Sequence, residues 1–156
     1  MAETVKTIYR ISRDRAKLSR EAAAEQLNIS ASQLERYEFP KFHPEYCEAP
    51  ADVVREMMRV YNDERLGYLH LMDTNAVARA FLPANVERQT LLQAVVQLSL
   101  DIEEYIKDNS TILKIAKDEK VSEDELPKWM KSKKSIKALV ADYLALLWAD
   151  GIDEGE

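Results

Sequence analysis

The sequence has few of the residues that punctuate all-β folds or that staple secreted domains. Its 156 residues include three glycines, five prolines and a single cysteine, Cys47. One cysteine cannot form an internal disulfide, so a disulfide-stabilised secreted domain is excluded and a reducing compartment is expected. No run approaches about 18 apolar residues, and the opening MAETVKTIYR lacks the apolar core of a signal peptide. We therefore expect a cytoplasmic protein without a membrane span.

The motifs of enzymes and metal sites are also missing. There is no Gly-rich phosphate loop, no HExxH pair and no nucleophile elbow, so we predict no enzymatic activity. His43 and Cys47 lie close in sequence, but His70 is distant, and a zinc site needs about four such ligands. The run DEKVSEDE at 118–125 lacks the central glycine of a calcium loop and predicts a turn. No metal or other cofactor is expected.

Helix-forming residues and helical periodicity dominate what is present. The chain is 46% hydrophobic and 32% charged, and its apolar residues recur at the spacing of a helical face. We predict an all-α protein without strands or internal repeats. The predicted helices cover residues 4–17, 20–27, 30–38, 51–61, 64–72, 87–118 and 123–149, with a helical turn at 76–81 and a kink or break at 108–110.

These helices form two groups along the chain. Residues 1–73 hold five short helices, enough for a compact domain, and residues 74–86 are predicted to be a connection because they contain breakers such as Pro83. Residues 87–149 hold two long helices that we expect to form an antiparallel hairpin. Their apolar content exceeds what two helices hide alone, so we expect a second copy or the first domain to cover the rest. We predict a role in oligomerisation or partner binding. Residues 150–156 form an acidic tail.

The segment LSREAAAEQLNISASQLERYE reads as two short helices joined by a tight turn. Ser19 and Ser30 are good N-caps, and Asn28 tolerates the left-handed backbone that a turn needs. Leu34 and Tyr37 then share one face of the second helix. Two helices with this spacing form the unit that DNA-binding proteins lay in the major groove. The spacing also fits an ordinary pair of helices in any α-helical domain.

The predicted recognition helix, residues 30–38, carries short and polar side chains on its outward face. Arg36 suits a bidentate contact with guanine, and Gln33 one with adenine. Ser32 suits either base, and Ala31 suits a thymine methyl group. We predict these four residues as the base contacts. Basic side chains and helix N-termini attract phosphate, and the predicted phosphate contacts are Arg10, Arg13, Arg20 and Ser30.

Charge is distributed unevenly along the chain. The net charge is −6, but residues 1–44 hold eight Lys or Arg against six Asp or Glu, a balance of +2. The remaining residues hold 14 basic and 22 acidic side chains, a balance of −8. A basic head on an acidic body suits a DNA-binding domain joined to a partner-binding part, although ordinary surface charge fits equally well. Glu35 opposes DNA binding, because an acid on the recognition helix meets phosphate repulsion.

The run IYRISRDRAKLSREAAAEQLNISASQLERYE resembles the DNA-binding domain of the Xre/Cro-type (lambda-repressor-like) helix-turn-helix family. The matching positions are Arg13, Leu18, Ser19, Ala24, Leu27, Ile29, Ser30, Leu34, Tyr37 and Glu38. The later run PADVVREMMRVYND resembles the fourth helix of that family, and the longer chain resembles its phage- or mobile-element-associated members in Firmicutes. The resemblance implies an N-terminal five-helix domain that binds an operator as a dimer. It implies base contacts from Ala31, Ser32 and Arg36, with phosphate contacts from Arg13, Arg20 and Ser30.

Some positions depart from the family pattern. Arg20 replaces a glutamine that usually opens the second helix, Asn28 replaces a turn glycine, and Phe39 replaces a glycine. The loop at 39–49 is longer than the common pattern, which predicts a shifted fourth helix or a contact of its own.

Two functions are expected, from different classes. The first is a sequence-specific transcriptional regulator that reads double-stranded DNA with residues 30–38, as a homodimer located at the nucleoid. The alternative is a protein-interaction module, such as an antitoxin-like adaptor. In that case the helix-turn-helix is only a scaffold, and the acidic hairpin at 87–149 binds another protein.

Overall fold

The structure is a computed structural model that describes residues 6–84, 86–117 and 120–149. Every regular element in these ranges is a helix, so the prediction of an all-α protein is confirmed. None of the helices in the described ranges is long and apolar enough to cross a membrane. The helices are α1 (Ile8–Arg15), α2 (Arg20–Gln26), α3 (Ala31–Glu38), α4 (Ala51–Tyr61), α5 (Arg65–Thr74), α6 (Ala76–Phe81), α7 (Leu91–Ala116) and α8 (Leu126–Leu147).

The chain divides into two compact units, Met1–Ala78 and Arg79–Glu156. The division falls inside α6, within the stretch that the sequence predicts as a connection. The predicted helical start at Thr4 and the acidic tail at 150–156 lie outside the described residues.

Left-handed backbone positions end three helices of the first unit. Lys17, Asn28 and Asn62 have φ values of 56°, 54° and 49°. The sequence predicted this conformation only for Asn28, and it extended the first helix to Lys17. α1 ends at Arg15 because Lys17 turns the chain instead, and its N–H donates to the carbonyl of Asp14 at 3.1 Å.

The core of the first unit lies where α1 to α5 meet. α2 packs on α3 and α4 packs on α5, while α1 contacts α3, α4 and α5. This arrangement buries one face of each short helix, which none of them could stabilise alone. The buried core residues are Tyr9, Ala23, Ala24, Leu27, Leu34, Tyr37, Ala49, Val54, Met57, Tyr61 and Leu66.

The second unit is built on α7 and α8. α7 runs without interruption through 108–110, where the sequence predicted a kink or break. Thr90 and Gln93 form a reciprocal capping box at its start. A capping box at Ser122 is half formed, since the Ser122 N–H donates to the Glu125 carboxylate at 3.1 Å. The Glu125 N–H instead donates to the Ser122 carbonyl, and α8 begins at the next residue.

The contacts between α7 and α8 fix their relative direction. Ile115, near the end of α7, and Ser132, near the start of α8, line the same cavity. Farther along, the carboxyl groups of Asp101 and Asp142 lie close enough to interact electrostatically. The two helices are therefore antiparallel. Burial together with the Asp101 carboxyl raises the pKa of Asp142 to about 6.

Candidate nucleic-acid interface

The segment from α2 to α3 is held by caps at both helix starts. The Ala22 N–H donates to the Ser19 hydroxyl, and the Gln33 N–H donates to the Ser30 hydroxyl, each at 3.1 Å. Each serine thus satisfies one of the backbone donors that a helix start leaves unpaired. Between the helices Asn28 adopts the left-handed conformation, which brings α3 across α2.

The two faces of α3 have opposite character. Leu34 and Tyr37 are 0% and 3% exposed and belong to the core. Ser32, Gln33 and Arg36 are exposed on the other face. The core contacts of the first face hold the helix in place, so the polar face is presented to solvent by a rigid support.

The exposed side chains of α3 share one concave surface. A cavity of about 280 Å³ is lined by Ser30, Ser32, Gln33, Arg36, Tyr37 and Cys47. Three of the four predicted base contacts therefore lie together, next to the predicted phosphate contact at the cap. The fourth, Ala31, is half-buried and packs against the core cluster.

Hydrogen bonds orient the two longest side chains on this surface. The Gln33 amide donates to the Tyr37 hydroxyl at 2.8 Å, and its carbonyl oxygen makes no hydrogen bond with any residue in the described ranges. The Arg36 Nε donates to the Glu45 carbonyl at 3.4 Å. The terminal nitrogens of Arg36 make no hydrogen bond with any residue in the described ranges, and these are the donors that a bidentate contact uses.

The loop at 39–50 is fastened to α3. The Cys47 N–H donates to the Arg36 carbonyl at 3.1 Å, close to the bond between Arg36 Nε and Glu45. At its other side the loop reaches α5, where the Lys41 ammonium lies 2.8 Å from the Asp73 carboxylate. The long loop thus forms one wall of the concave surface beside Arg36.

The Glu35 carboxylate on α3 is paired. Its carboxylate accepts from the Arg20 Nη1 at 2.7 Å. The pair neutralises the acid that we predicted to oppose DNA binding, which weakens that objection. Arg20 also lies 3.4 Å from the Glu38 carboxylate and keeps 30% of its side chain exposed.

Arg13 has a different environment from the one that the sequence predicted. Its Nε and Nη2 donate to the Glu38 carboxylate at 2.5 and 3.0 Å, and its Nη1 donates to the Leu18 carbonyl at 2.8 Å. The side chains of Arg13 and Glu38 are 9% and 2% exposed. The hydrogen bonds to Glu38 raise the pKa of Arg13. All three guanidinium nitrogens are paired within the first unit, and Nη1 also lies 3.3 Å from the carboxylate of the exposed residue Asp14, so we assign Arg13 to the joint between α1 and α3 and withdraw it from the phosphate contacts.

The remaining predicted phosphate contacts stay at or near the surface. Arg10 is half-buried, and its Nε has no hydrogen-bond partner among the described residues. Ser30 is exposed, although its hydroxyl is used as a cap. Near Arg10, Lys6 pairs with Asp14 at 2.9 Å, and this contact lowers the pKa of Asp14. The basic face of α1 is therefore partly neutralised.

Two polar contacts, one partly buried and one buried, were not predicted from the sequence. The Ser12 hydroxyl donates to the Asp63 carboxylate at 2.7 Å. The Tyr9 hydroxyl lies 2.7 Å from the His70 Nδ1, and burial raises the pKa of Tyr9. Both contacts join α1 to the chain around α5. The signal available in the sequence was the spacing of Ser12, three residues after Tyr9, which places both side chains on one face of a helix.

The residues that suggested a metal site have other surroundings. The His43 ring stacks on Phe39 with centroids 3.7 Å apart, and its Nδ1 accepts from the Glu45 N–H. His70 is bound to Tyr9. In the part of the chain that the structure describes, no group of three His, Cys, Asp or Glu side chains is placed to hold a metal ion.

Comparison with protein-family models, with curated proteins and with solved structures finds no match for this chain. The resemblance to the Xre/Cro-type family therefore rests on the motif in the first 38 residues and on the run that resembles a fourth helix. The geometry around α3 carries the functional argument.

Proposed function

We propose that this chain is a sequence-specific DNA-binding protein that regulates transcription by inserting α3 into the major groove. The observation that carries the proposal is the arrangement of Ser32, Gln33 and Arg36. These three exposed polar side chains share the outer face of a capped helix whose inner face is fixed in the core. A helix of this kind fits the major groove, where base edges offer distinct hydrogen-bonding patterns.

The chemistry of each side chain suggests its role in this proposal. The free terminal nitrogens of Arg36 suit the O6 and N7 acceptors of guanine. The Gln33 carbonyl suits an adenine amino group, and Ser32 suits either base. Ala31 lies at the start of α3. Its side chain is short, so it would contact a thymine methyl group only where α3 comes closest to the bases.

Phosphate contacts in this proposal come from Arg10, Arg20 and Ser30. The start of α3 also offers backbone N–H groups and the positive end of its dipole to a phosphate. These contacts carry no sequence information, but they set the position of α3 on the duplex. The ion pair between Arg20 and Glu35 reduces the attraction of Arg20 for phosphate, because the charge of Arg20 is already neutralising that of Glu35 when the protein meets DNA.

The proposal includes the five-helix Xre/Cro-type arrangement for α1 to α5, and a hairpin formed by α7 and α8. It also includes a dimer, in which two copies of α3 enter successive major grooves about 34 Å apart. The caps at Ser19 and Ser30, the left-handed turn at Asn28 and the packing of α2 on α3 support the arrangement.

The second candidate is a protein-interaction module that uses the second unit. Large apolar side chains on α7 and α8 are exposed, among them Leu92 at 73% and Ile106 at 64%. Exposed apolar surface of this extent marks an interaction site in a folded protein. In this reading the first unit is a scaffold without DNA affinity.

Binding of the full chain to random-sequence duplex DNA separates the two candidates. The regulator is expected to bind at low salt, with an affinity that falls steeply as salt rises because counterions are released from the phosphates. An electrophoretic mobility series at several salt concentrations measures this. Absence of binding even at the lowest salt would reject the DNA-binding proposal and leave the interaction module.

A further inference from the structure

We infer that one face of the α7–α8 pair is a self-association surface, on which a second copy of this chain completes a four-helix bundle. The starting observation is the exposure of apolar side chains beside the packed interior of the second unit. Ile106 and Leu113 on α7 are each 64% exposed, and Tyr143 and Leu147 on α8 are 55% and 58% exposed. Their number along two adjacent helices exceeds what scattered surface residues explain.

On α7 the exposed residues follow one stripe. Val95, Ile102, Ile106 and Leu113 lie within roughly 60° of one another around the helix axis, at about 3.6 residues per turn. Each comes directly after a buried or half-buried residue, namely Ala94, Asp101, Tyr105 and Ile112, of which Asp101 interacts with Asp142 on α8. The stripe therefore lies next to the α8-facing side of α7.

The exposed apolar residues of α8 also directly follow more buried residues. Ile136, Val140, Tyr143 and Leu147 follow residues 135, 139, 142 and 146, all of which are half-buried, and Asp142 interacts with Asp101 on α7. In each helix the stripe lies about 100° around the axis from the interior residue that precedes it. Because α7 and α8 are antiparallel, this rotation places both stripes on the same side of the plane that contains the two helix axes. The two stripes form one continuous surface, called here the apolar face.

The extent of the apolar face matches a dimer interface. From Val95 to Leu113 the stripe spans roughly 27 Å along α7, at about 1.5 Å per residue. Two packed helices are about 20 Å wide, so the face offers on the order of 550 Å² per copy. Two copies together bury about 1,100 Å², which is near the lower limit for a specific interface.

The occupant that this geometry fits is a second copy. The side chains of the apolar face recur every three or four residues along each helix, which is the spacing that packed helices use. Two helix pairs stacked on such faces form a four-helix bundle. A twofold axis brings the same face of both copies together, so the interface is complementary to itself. This inference does not depend on DNA binding, and a dimer without DNA affinity would remove only the proposed function.

Light scattering on the size-separated full chain tests the inference. The chain has a mass of 17.9 kDa, and the wild type at tens of micromolar is expected at twice that value. Ile106→Glu and Val140→Glu each place a charge in the apolar face, and each is expected to shift the protein to the monomer mass. Far-UV circular dichroism on the same samples shows whether the helices persist.

Leu100→Glu is the matched control. Leu100 is 56% exposed on the same helix, but it precedes the interior residue Asp101 and so lies on the other side of α7. This variant is expected to remain a dimer. A monomeric wild type would overturn the inference, because something other than a second copy would then cover the face. An Ile106→Glu variant that remains a dimer with intact helices would also overturn the inference, and so would a monomeric Leu100→Glu variant. If Ile106→Glu loses its helices, the mass of Val140→Glu decides the test instead.

Discussion

Arg13 on α1 and Glu38 at the end of α3 form a two-bond ion pair inside the first unit, with Glu38 almost inaccessible to solvent. The same guanidinium donates to the Leu18 carbonyl in the connection between α1 and α2. The pair therefore ties the first helix to the proposed recognition helix. The angle at which α3 is presented depends on a charged joint as well as on apolar packing.

Arg13→Ala is expected to destabilise the first unit by about 3 kcal/mol, because it leaves the Glu38 carboxylate buried and poorly paired. Urea unfolding followed by circular dichroism measures the loss. Arg15→Ala, at an exposed position on the same helix, is the control and should change the free energy of unfolding by less than about 0.5 kcal/mol. Unchanged stability with weakened DNA binding would restore Arg13 as a phosphate contact.

Tyr9→Phe removes a buried hydrogen bond between α1 and α5. It leaves the His70 Nδ1 without its partner at 2.7 Å, so we expect a loss of about 1–2 kcal/mol in the free energy of unfolding. The same urea titration measures it. Tyr46→Phe is the control, since the Tyr46 side chain is only half-buried, and equal losses in both variants would count against a specific role for the contact.

The sequence predicted the positions of the helices well because apolar periodicity depends on neighbours within a few residues. The bounds of α4 agree to the residue, and α2 and α3 agree within one residue. The uninterrupted α7 shows the limit of local signals. Its contacts with α8 maintain a helix through the polar residues at 108–110, and those contacts are not readable from the local sequence.

The role of Arg13 could not be predicted for a similar reason. Arg13 lies one helical turn from Tyr9, which is buried, and about as close to Arg10 on the basic face. The helical pattern therefore allows Arg13 to belong either to the buried face or to the basic face of α1. The choice depends on Glu38, which is 25 residues away and itself follows Leu34 on the inner face of α3. Only the tertiary contact decides between them.

Asp142→Asn is expected to stabilise the second unit at neutral pH. Its carboxyl has a pKa of about 6 in the folded chain and an ordinary value of 3.8, so the folded state holds this proton more tightly. Stability from this group is therefore present below about pH 4 and is lost as the pH rises to about 6. The asparagine removes that loss and can donate to the Asp101 carboxylate.

Thermal unfolding at about pH 7.5 and about pH 4 measures the effect. The variant should be more stable by about 1–2 kcal/mol at the higher pH, which allows for partial solvent screening, and the gain should vanish at the lower pH. Asp124→Asn, at an exposed position, is the control. A gain that is equal at both pH values would rule out the titration of the pair between Asp101 and Asp142.

Glu35→Gln tests the electrostatic balance of α3, the proposed recognition helix. It removes one negative charge and releases Arg20 from its contact at 2.7 Å, so binding to random-sequence DNA should strengthen several-fold at low salt. Glu64→Gln, an exposed acid between α4 and α5, is the control and should have little effect. Weaker binding after Glu35→Gln would mean that the ion pair orients Arg20 for DNA.

Selection of bound duplexes from a random pool, followed by affinity measurements with Arg36→Ala, tests the central proposal most directly. The wild type should enrich a defined site, and Arg36→Ala should weaken binding to it by roughly 5- to 150-fold and relax preference at one base pair. Arg55→Ala, with a side chain 77% exposed on α4, should bind as the wild type does. An Arg36→Ala protein with unchanged affinity and an unchanged selected sequence would contradict the assignment of α3 as the reading helix.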